Sequence, residues 1–181
     1  MHKAIFLDRD GVINVDHAYV HTPEAFQFIN GVFSACKAFQ DNGYKLVVVT
    51  NQSGIGRGYY NESQFQHLTE WMVAQFDEHG VTIAGVFFCP HHPKNALGDY
   101  RKACDCRKPF PGMLLQAKAQ LGLDLANSVM IGDKASDMEA AFAAGIPTRV
   151  LVRSGQDLSE ACSDKATAVV DSIAHVPDLL I

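Results

Sequence analysis

The chain has 181 residues, 48% of them hydrophobic and 19% charged, with a formal net charge of −5. That is enough apolar material for one full core, so a single domain over residues 1–181 is expected and a largely disordered chain is excluded. The acidic balance offers no global attraction for nucleic acid or anionic membrane surfaces, and no apolar run approaches the roughly 20 residues needed to span a bilayer.

The first apolar run, residues 3–7, reads as a buried strand. It stops at Asp8, too early to serve as a secretory h-region, which predicts a cytoplasmic protein. A helical pattern over 32–42 ends at the stop signal Asn42-Gly43, and a β-branched strand follows at 45–50. A helix over 62–79 and a strand at 85–89 come next. Residues 90–111 fit no element, and a loop that long needs a staple or a function of its own. A helix at 111–121, a strand at 128–131, a helix at 136–144 stopped by Gly145, and strands at 148–152 and 168–171 complete the chain. Alternating strands and helices predict an α/β fold, a single Rossmann-like domain with a central parallel sheet flanked by helices. No large insertion separates the elements, so no cap domain is expected and the site should be open.

Ligands of such sheets bind at the carboxyl ends of the strands, where the chemically capable residues gather. Asp8 and Asp10 follow the first strand, and Thr50, Asn51, Gln52 and Ser53 follow the second. Arg107 and Lys108 precede the helix at 111, and Asp133 and Lys134 follow the fourth strand. Singly these could be a charged turn, a helix cap and a Gly-Asp-Lys turn; together on one rim they suit phosphate chemistry. An ionised carboxylate attacks without a base once Mg²⁺ offsets its repulsion from the phosphoryl group. A lysine and a threonine hydroxyl can stabilise the equatorial oxygens, and a second carboxylate can move the proton.

The long loop carries its own pattern. Cys89 and His91, then Cys104 and Cys106, supply one imidazole and three thiolates, a complete set for a closed structural Zn²⁺ site. Spacing alone leaves His92 as an alternative to His91. Cys36 and Cys162 fall on apolar helical faces and read as packing residues.

DRDGVIN, VVVTNQSG, the lysine of CRKP, and IGDKASD, in that order, resemble the four motifs of the haloacid dehalogenase superfamily of phosphohydrolases. The resemblance implies Asp8 as nucleophile and Asp10 as general acid/base. It implies Thr50 and Lys108 as phosphoryl stabilisers, and magnesium held by Asp8, the Asp10 backbone carbonyl and Asp133. Asp137 would support Lys134 or the metal waters. With its cysteine loop the chain resembles, over nearly its whole length, the zinc-containing branch of heptose 1,7-bisphosphate 7-phosphatases. The zinc set implied there is Cys89, His91, Cys104 and Cys106. Asp16, His17, Ala18 and Tyr19, with Asn51, Gln52, Ser53, Arg57, Arg107 and Lys134, would contact substrate. The implied substrate is a small sugar bisphosphate, the protein a monomer, and the pathway that of ADP-heptose for the lipopolysaccharide core. Histidinol-phosphate phosphatases share these motifs and remain the alternative. An inactive zinc-stabilised binding module, the rival of another class, predicts a basic face and a missing aspartate; the chain is acidic and keeps both.

Overall fold

The computed structural model describes residues 1–155 and 163–181, so Cys162 lies outside the described residues. Six parallel strands form the sheet: β1 (Ala4–Leu7), β2 (Lys45–Asn51), β3 (Ile83–Cys89), β4 (Val129–Gly132), β5 (Thr148–Val152) and β6 (Ala168–Val170), in the order β3-β2-β1-β4-β5-β6. The helices are α1 (Val32–Asp41), α2 (Ser53–Gly56), α3 (Glu62–Glu78), α4 (Gly112–Leu121), α5 (Ala135–Ala143) and α6 (Pro177–Leu180).

The two central strands, β1 and β4, are apolar and buried throughout because both faces of a parallel sheet are covered. Along β1, Ile5 and Leu7 join one core with Phe39 of α1 and Leu68, Met72 and Phe76 of α3. Ala4 and Phe6 join the other, with Met113, Leu114 and Ala117 of α4 and Met138 and Ala141 of α5. Cys36 is fully buried in the first core, a packing residue as expected. Asn61 opens α3 by a reciprocal capping box with Gln64, a pattern that satisfies two otherwise orphaned donors.

β1 pairs with β2 on one side and β4 on the other. The strand order reverses about β1, so its carboxyl end opens at the switch point where such sheets bind ligands. Among the described residues no domain is inserted between the elements. The expected elements are present, with shifted ends. The strand expected from 85 begins at Ile83, in register with Leu46 and ahead of a bulge. The glycine-rich run after Gln52 closes one helical turn as α2. No helix among the described residues is long and apolar enough to cross a membrane.

Candidate active site

Asp8 leaves the end of β1, Asp133 the end of β4, and Asp137 the first turn of α5. All three carboxylates are buried, and their oxygens can lie within 4.8 Å of one another. One cation stands among them. Lys108 Nζ lies 3.0 Å from Asp8 Oδ1 and 2.6 Å from Asp137 Oδ1, and it donates to the Val49 carbonyl at 2.9 Å. Burial alone would lower the lysine, but Asp137 and Asp8 hold its ammonium well above the ordinary range. Three acids against one permanent base leave the cluster short of positive charge. Burial, then the Asp137 charge, push Asp8 up despite Lys108. Burial with the Asp8 and Asp137 charges pushes Asp133 up to about 9.

An oxygen-only, electron-rich cluster of this kind fits Mg²⁺. Its walls are backbone: a Cβ on Gly11 or Gly155 would fall 2.3 or 2.1 Å from Asp133 Oδ2. Gly11 also has φ +88°, so a side chain is refused there both for space and for conformation. The Asp137 carboxylate engages Lys134 through that residue's backbone and holds Lys108 as well. Its Oδ2 accepts from the backbone N–H groups of Asp133 and Lys134, both at 3.1 Å, and its Oδ1 meets Lys108 rather than the Lys134 ammonium.

Asp10 points away from the cluster. Its Oδ1 accepts from Arg9 Nη2 and Asn14 Nδ2, each at 3.0 Å, and its Oδ2 from Gln52 Nε2 at 3.2 Å. Burial opposes charge on Asp10, yet Arg9 beside it and these donors hold its carboxyl below the usual range. Gln52 Nε2 also reaches Thr50 Oγ1 at 2.9 Å, and Gln52 Oε1 accepts from the Tyr60 hydroxyl. Arg9 is only 2% exposed and also donates to the Val20 carbonyl at 2.7 Å, clipping the segment after Tyr19 to the acid/base.

Asp10, Gln52, Tyr60 and Lys108 border a cavity of about 530 Å³ whose lining also includes Asp16, Ala18, Tyr19, Ser53, Arg57, Arg107 and Lys134. His17 is not among its lining: its ring nitrogen faces Gln27 Oε1 at 3.2 Å on the exposed side of the loop. Ala18 and Tyr19 both have positive φ, 62° and 55°, a costly conformation that recurs at ligand loops. The turn is held by Asp16 Oδ1, which accepts from the Ala18 N–H, and the Arg57 guanidinium lies over the Tyr19 ring. Asn51 borders the cavity, but its amide is committed to the Lys108 backbone, donating to its carbonyl at 3.2 Å and accepting from its N–H at 3.1 Å. Sequence reasoning missed Asn14 and Tyr60, which act on Asp10 and Gln52 through tertiary contacts, and Ser136, which joins the lining.

The loop after β3 brings Cys89, His91, Cys104 and Cys106 together. Cys89 Sγ lies 3.5 Å from Cys104 Sγ and 3.6 Å from His91 Nδ1. Tetrahedral Zn²⁺ with bonds of about 2.3 Å to sulfur asks for ligand separations near about 3.7 Å; the Cys104–Cys106 and His91–Cys106 separations, 3.4 and 3.5 Å, also come close, while Cys89 and Cys106, at 2.8 Å, would have to open to hold the ion. His92 is excluded by its own partners, because its Nδ1 accepts from the backbone N–H groups of Lys94 and Asn95. Arg107 and Lys108 follow Cys106 directly, so the cluster and Asn51 together fix where Lys108 enters the site.

Comparison with known proteins agrees with this geometry. Residues 105–176 match the HAD-hydrolase-like family. The chain is 56% identical to the D-glycero-β-D-manno-heptose-1,7-bisphosphate 7-phosphatase of Vibrio cholerae serotype O1, over 98% of this chain and 96% of that one. It is 50% identical to the Escherichia coli (strain K12) enzyme of the same name, over 98% and 93%. The D,D-heptose 1,7-bisphosphate phosphatase of B. bronchiseptica, solved complexed with magnesium and phosphate, superposes with a TM-score of 0.86 at 30% identity, covering 98% of this chain and 97% of that one. The chain therefore belongs to the D-glycero-β-D-manno-heptose-1,7-bisphosphate 7-phosphatase family of HAD-like hydrolases.

Proposed function

We propose that residues 1–181 work as one cytoplasmic phosphatase domain, a monomer, that removes the 7-phosphate of D-glycero-D-manno-heptose 1,7-bisphosphate on the way to ADP-heptose and the lipopolysaccharide core. The observation that carries the reading is Lys108, which joins Asp8 and Asp137 at the floor of a cavity walled by Arg57, Arg107 and Lys134.

The Asp8 carboxylate attacks phosphorus, the bond to the sugar oxygen breaks, and an aspartyl-phosphate forms. Lys108 and the Thr50 hydroxyl lie where they can stabilise the phosphoryl oxygens as the bond changes hands. Asp10 gives its proton to the departing sugar oxygen. In the free protein Asp10 is held ionised, and the arriving phosphate charge raises its proton affinity by like-charge repulsion. Asp10 then takes a proton from water, and that water's oxygen attacks phosphorus to release inorganic phosphate and free Asp8. When bound, Mg²⁺ held by Asp8, Asp133 and the Asp10 backbone carbonyl offsets the repulsion between carboxylate and phosphate. Zn²⁺ at Cys89, His91, Cys104 and Cys106 supplies loop structure rather than chemistry.

The cavity favours a bisphosphate. Arg57, Arg107 and Lys134 offer cations beyond Lys108, which suits a second anionic group and repels the amine and imidazole of histidinol phosphate. The test is phosphate release from heptose 1,7-bisphosphate and histidinol phosphate, each with and without Mg²⁺, by the wild type and Asp8→Asn. Preferred, Mg²⁺-dependent turnover of the heptose that disappears in Asp8→Asn is expected. Preference for histidinol phosphate would overturn the substrate, and undiminished activity of Asp8→Asn would overturn the nucleophile.

A further inference from the structure

We propose that Tyr60 is a positioning residue for this reaction: by donating its hydroxyl to Gln52 it fixes the Gln52 amide so that the amide nitrogen is held against Asp10. The proposal rests on the phosphatase reading above, with Asp10 as acid and base.

The orientation of an amide is decided by its partners. An ionised Asp10 only accepts, so the end of Gln52 that faces Asp10 Oδ2 at 3.2 Å must be nitrogen. The same nitrogen meets Thr50 Oγ1 at 2.9 Å. Gln52 is 2% exposed, so its oxygen needs a donor inside the protein, because a buried acceptor without one is costly. Tyr60, itself 5% exposed, provides that donor. Burial pushes its hydroxyl up to about 12, so it keeps its proton throughout the neutral range. Without the hydroxyl, the Gln52 oxygen would be buried with no donor, and only the Asp10 carboxylate would still oppose a flip or a swing of the amide out of place.

The ring is also seated by residues near the substrate. A Cβ on Gly54 would fall 2.3 Å from Tyr60 Cε1, so the glycine after Ser53 makes room for Tyr60. His21 stacks on the Tyr60 ring, with centroids 4.9 Å apart and planes 6° apart. Its Nδ1 lies 2.8 Å from the Tyr19 carbonyl. A continuous line of contacts therefore runs from the loop that borders the sugar position through His21, Tyr60 and Gln52 to Asp10. Its consequence is that the acid/base is held correctly only while that loop is in place.

The experiment compares wild type, Tyr60→Phe, Gln52→Ala and the double variant, all with Mg²⁺. It reads kcat and KM on heptose 1,7-bisphosphate, kcat/KM on p-nitrophenyl phosphate, and melting temperature. Tyr60→Phe keeps the ring and should melt with the wild type. Its kcat/KM on the sugar phosphate should fall about tenfold, through kcat rather than KM, a fraction of what general acid catalysis supplies. On p-nitrophenyl phosphate, whose leaving group departs without a proton, the loss in kcat/KM should stay under about threefold. In the Gln52→Ala background, Tyr60→Phe should add no loss, since the group it orients is gone. Equal losses on both substrates, or the same added loss with and without Gln52, would overturn the proposal, as would wild-type kinetics in Tyr60→Phe. A wild type that ignored heptose bisphosphate would instead refute the substrate reading, and the variants would then be compared on the alkyl phosphate that it does accept.

Discussion

Asp133→Asn measures the electrostatic stress that the carboxylate cluster carries when no divalent cation offsets it. Asp133 is fully buried and is pushed up to about 9 from an ordinary 3.8. A group whose folded pKa lies above its unfolded one stabilises the fold below the unfolded value, and that stability drains away as pH rises toward the folded value. Between about pH 5 and pH 8 the unfolded chain carries the ionised form while the folded chain keeps the proton. The wild type should therefore lose about 1.4 kcal/mol of stability per pH unit from this group, or about 4 kcal/mol across the interval. The amide keeps the shape and removes the titration. At about 2–4 °C per kcal/mol for a chain of this size, the melting temperature of Asp133→Asn should gain about 10 °C on the wild type between those limits. The assay is scanning calorimetry in Mg²⁺-free buffer without chelator, so that zinc is retained, at several pH values. Adding Mg²⁺ should then raise the melting temperature of the wild type far more than that of the variant. A gap that does not change with pH would refute the reasoning, because it would mean that the three acids do not share one proton-retaining site.

Asn51→Leu removes both bonds to the Lys108 backbone, worth roughly 1 kcal/mol each, and steady-state assays should show kcat down by at least about tenfold as Lys108 loses its position. Zinc content should be unchanged in that variant; unaltered kcat would mean that the Cys106 anchor suffices alone. Cys104→Ser should abolish stoichiometric zinc binding by metal analysis and lower kcat with it, since the loop that delivers Lys108 loses its staple; a fully active, zinc-free variant would refute the link. Arg9→Met leaves Asp10 without the cation that holds it low. The acid limb of the kcat profile should move to higher pH, because the carboxylate then protonates earlier as pH falls; an unmoved limb would place Arg9 outside the control of Asp10.

Much of this was legible because the chemistry sits where the fold puts it. A strand ending in Asp8 and Asp10, and another ending in Asp133, can be read from apolar runs cut off by acids, and parallel topology then brings those ends to one rim. The zinc set was legible as residue types; spacing left His92 open, and the grouping of His91 with the three cysteines agrees with the set that the resemblance implied. The roles of Asn51, Asn14 and Tyr60 were not legible. Each acts through a hydrogen bond to a residue whose position depends on packing, as when Asn51 at the end of β2 grips Lys108, 57 positions further on. His17 falls outside the cavity lining for the same reason, since which side of a surface loop faces a cavity follows from its turn and not from its composition. Nor was the reason for the glycines after Ser53 legible: Gly54 and Gly56 sit in a helical turn where a side chain would strike Tyr60 or the Pro90 carbonyl.

Lys108 is tethered from two neighbouring strand ends: Asn51 grips its backbone, and Cys106, two residues before it, joins Cys89. Those two tethers are themselves in register, Asn51 beside Cys89. The intervening residues 93–103 are thereby released from any duty toward the lysine. They can be lengthened, shortened or exchanged at small entropic cost, since doubling such a loop costs only about 0.6 kcal/mol. The arrangement separates a segment open to innovation from one that must stay still. Loop grafting between related phosphatases is best confined to that span, which lies outside the cavity lining, so the reacting groups keep their places.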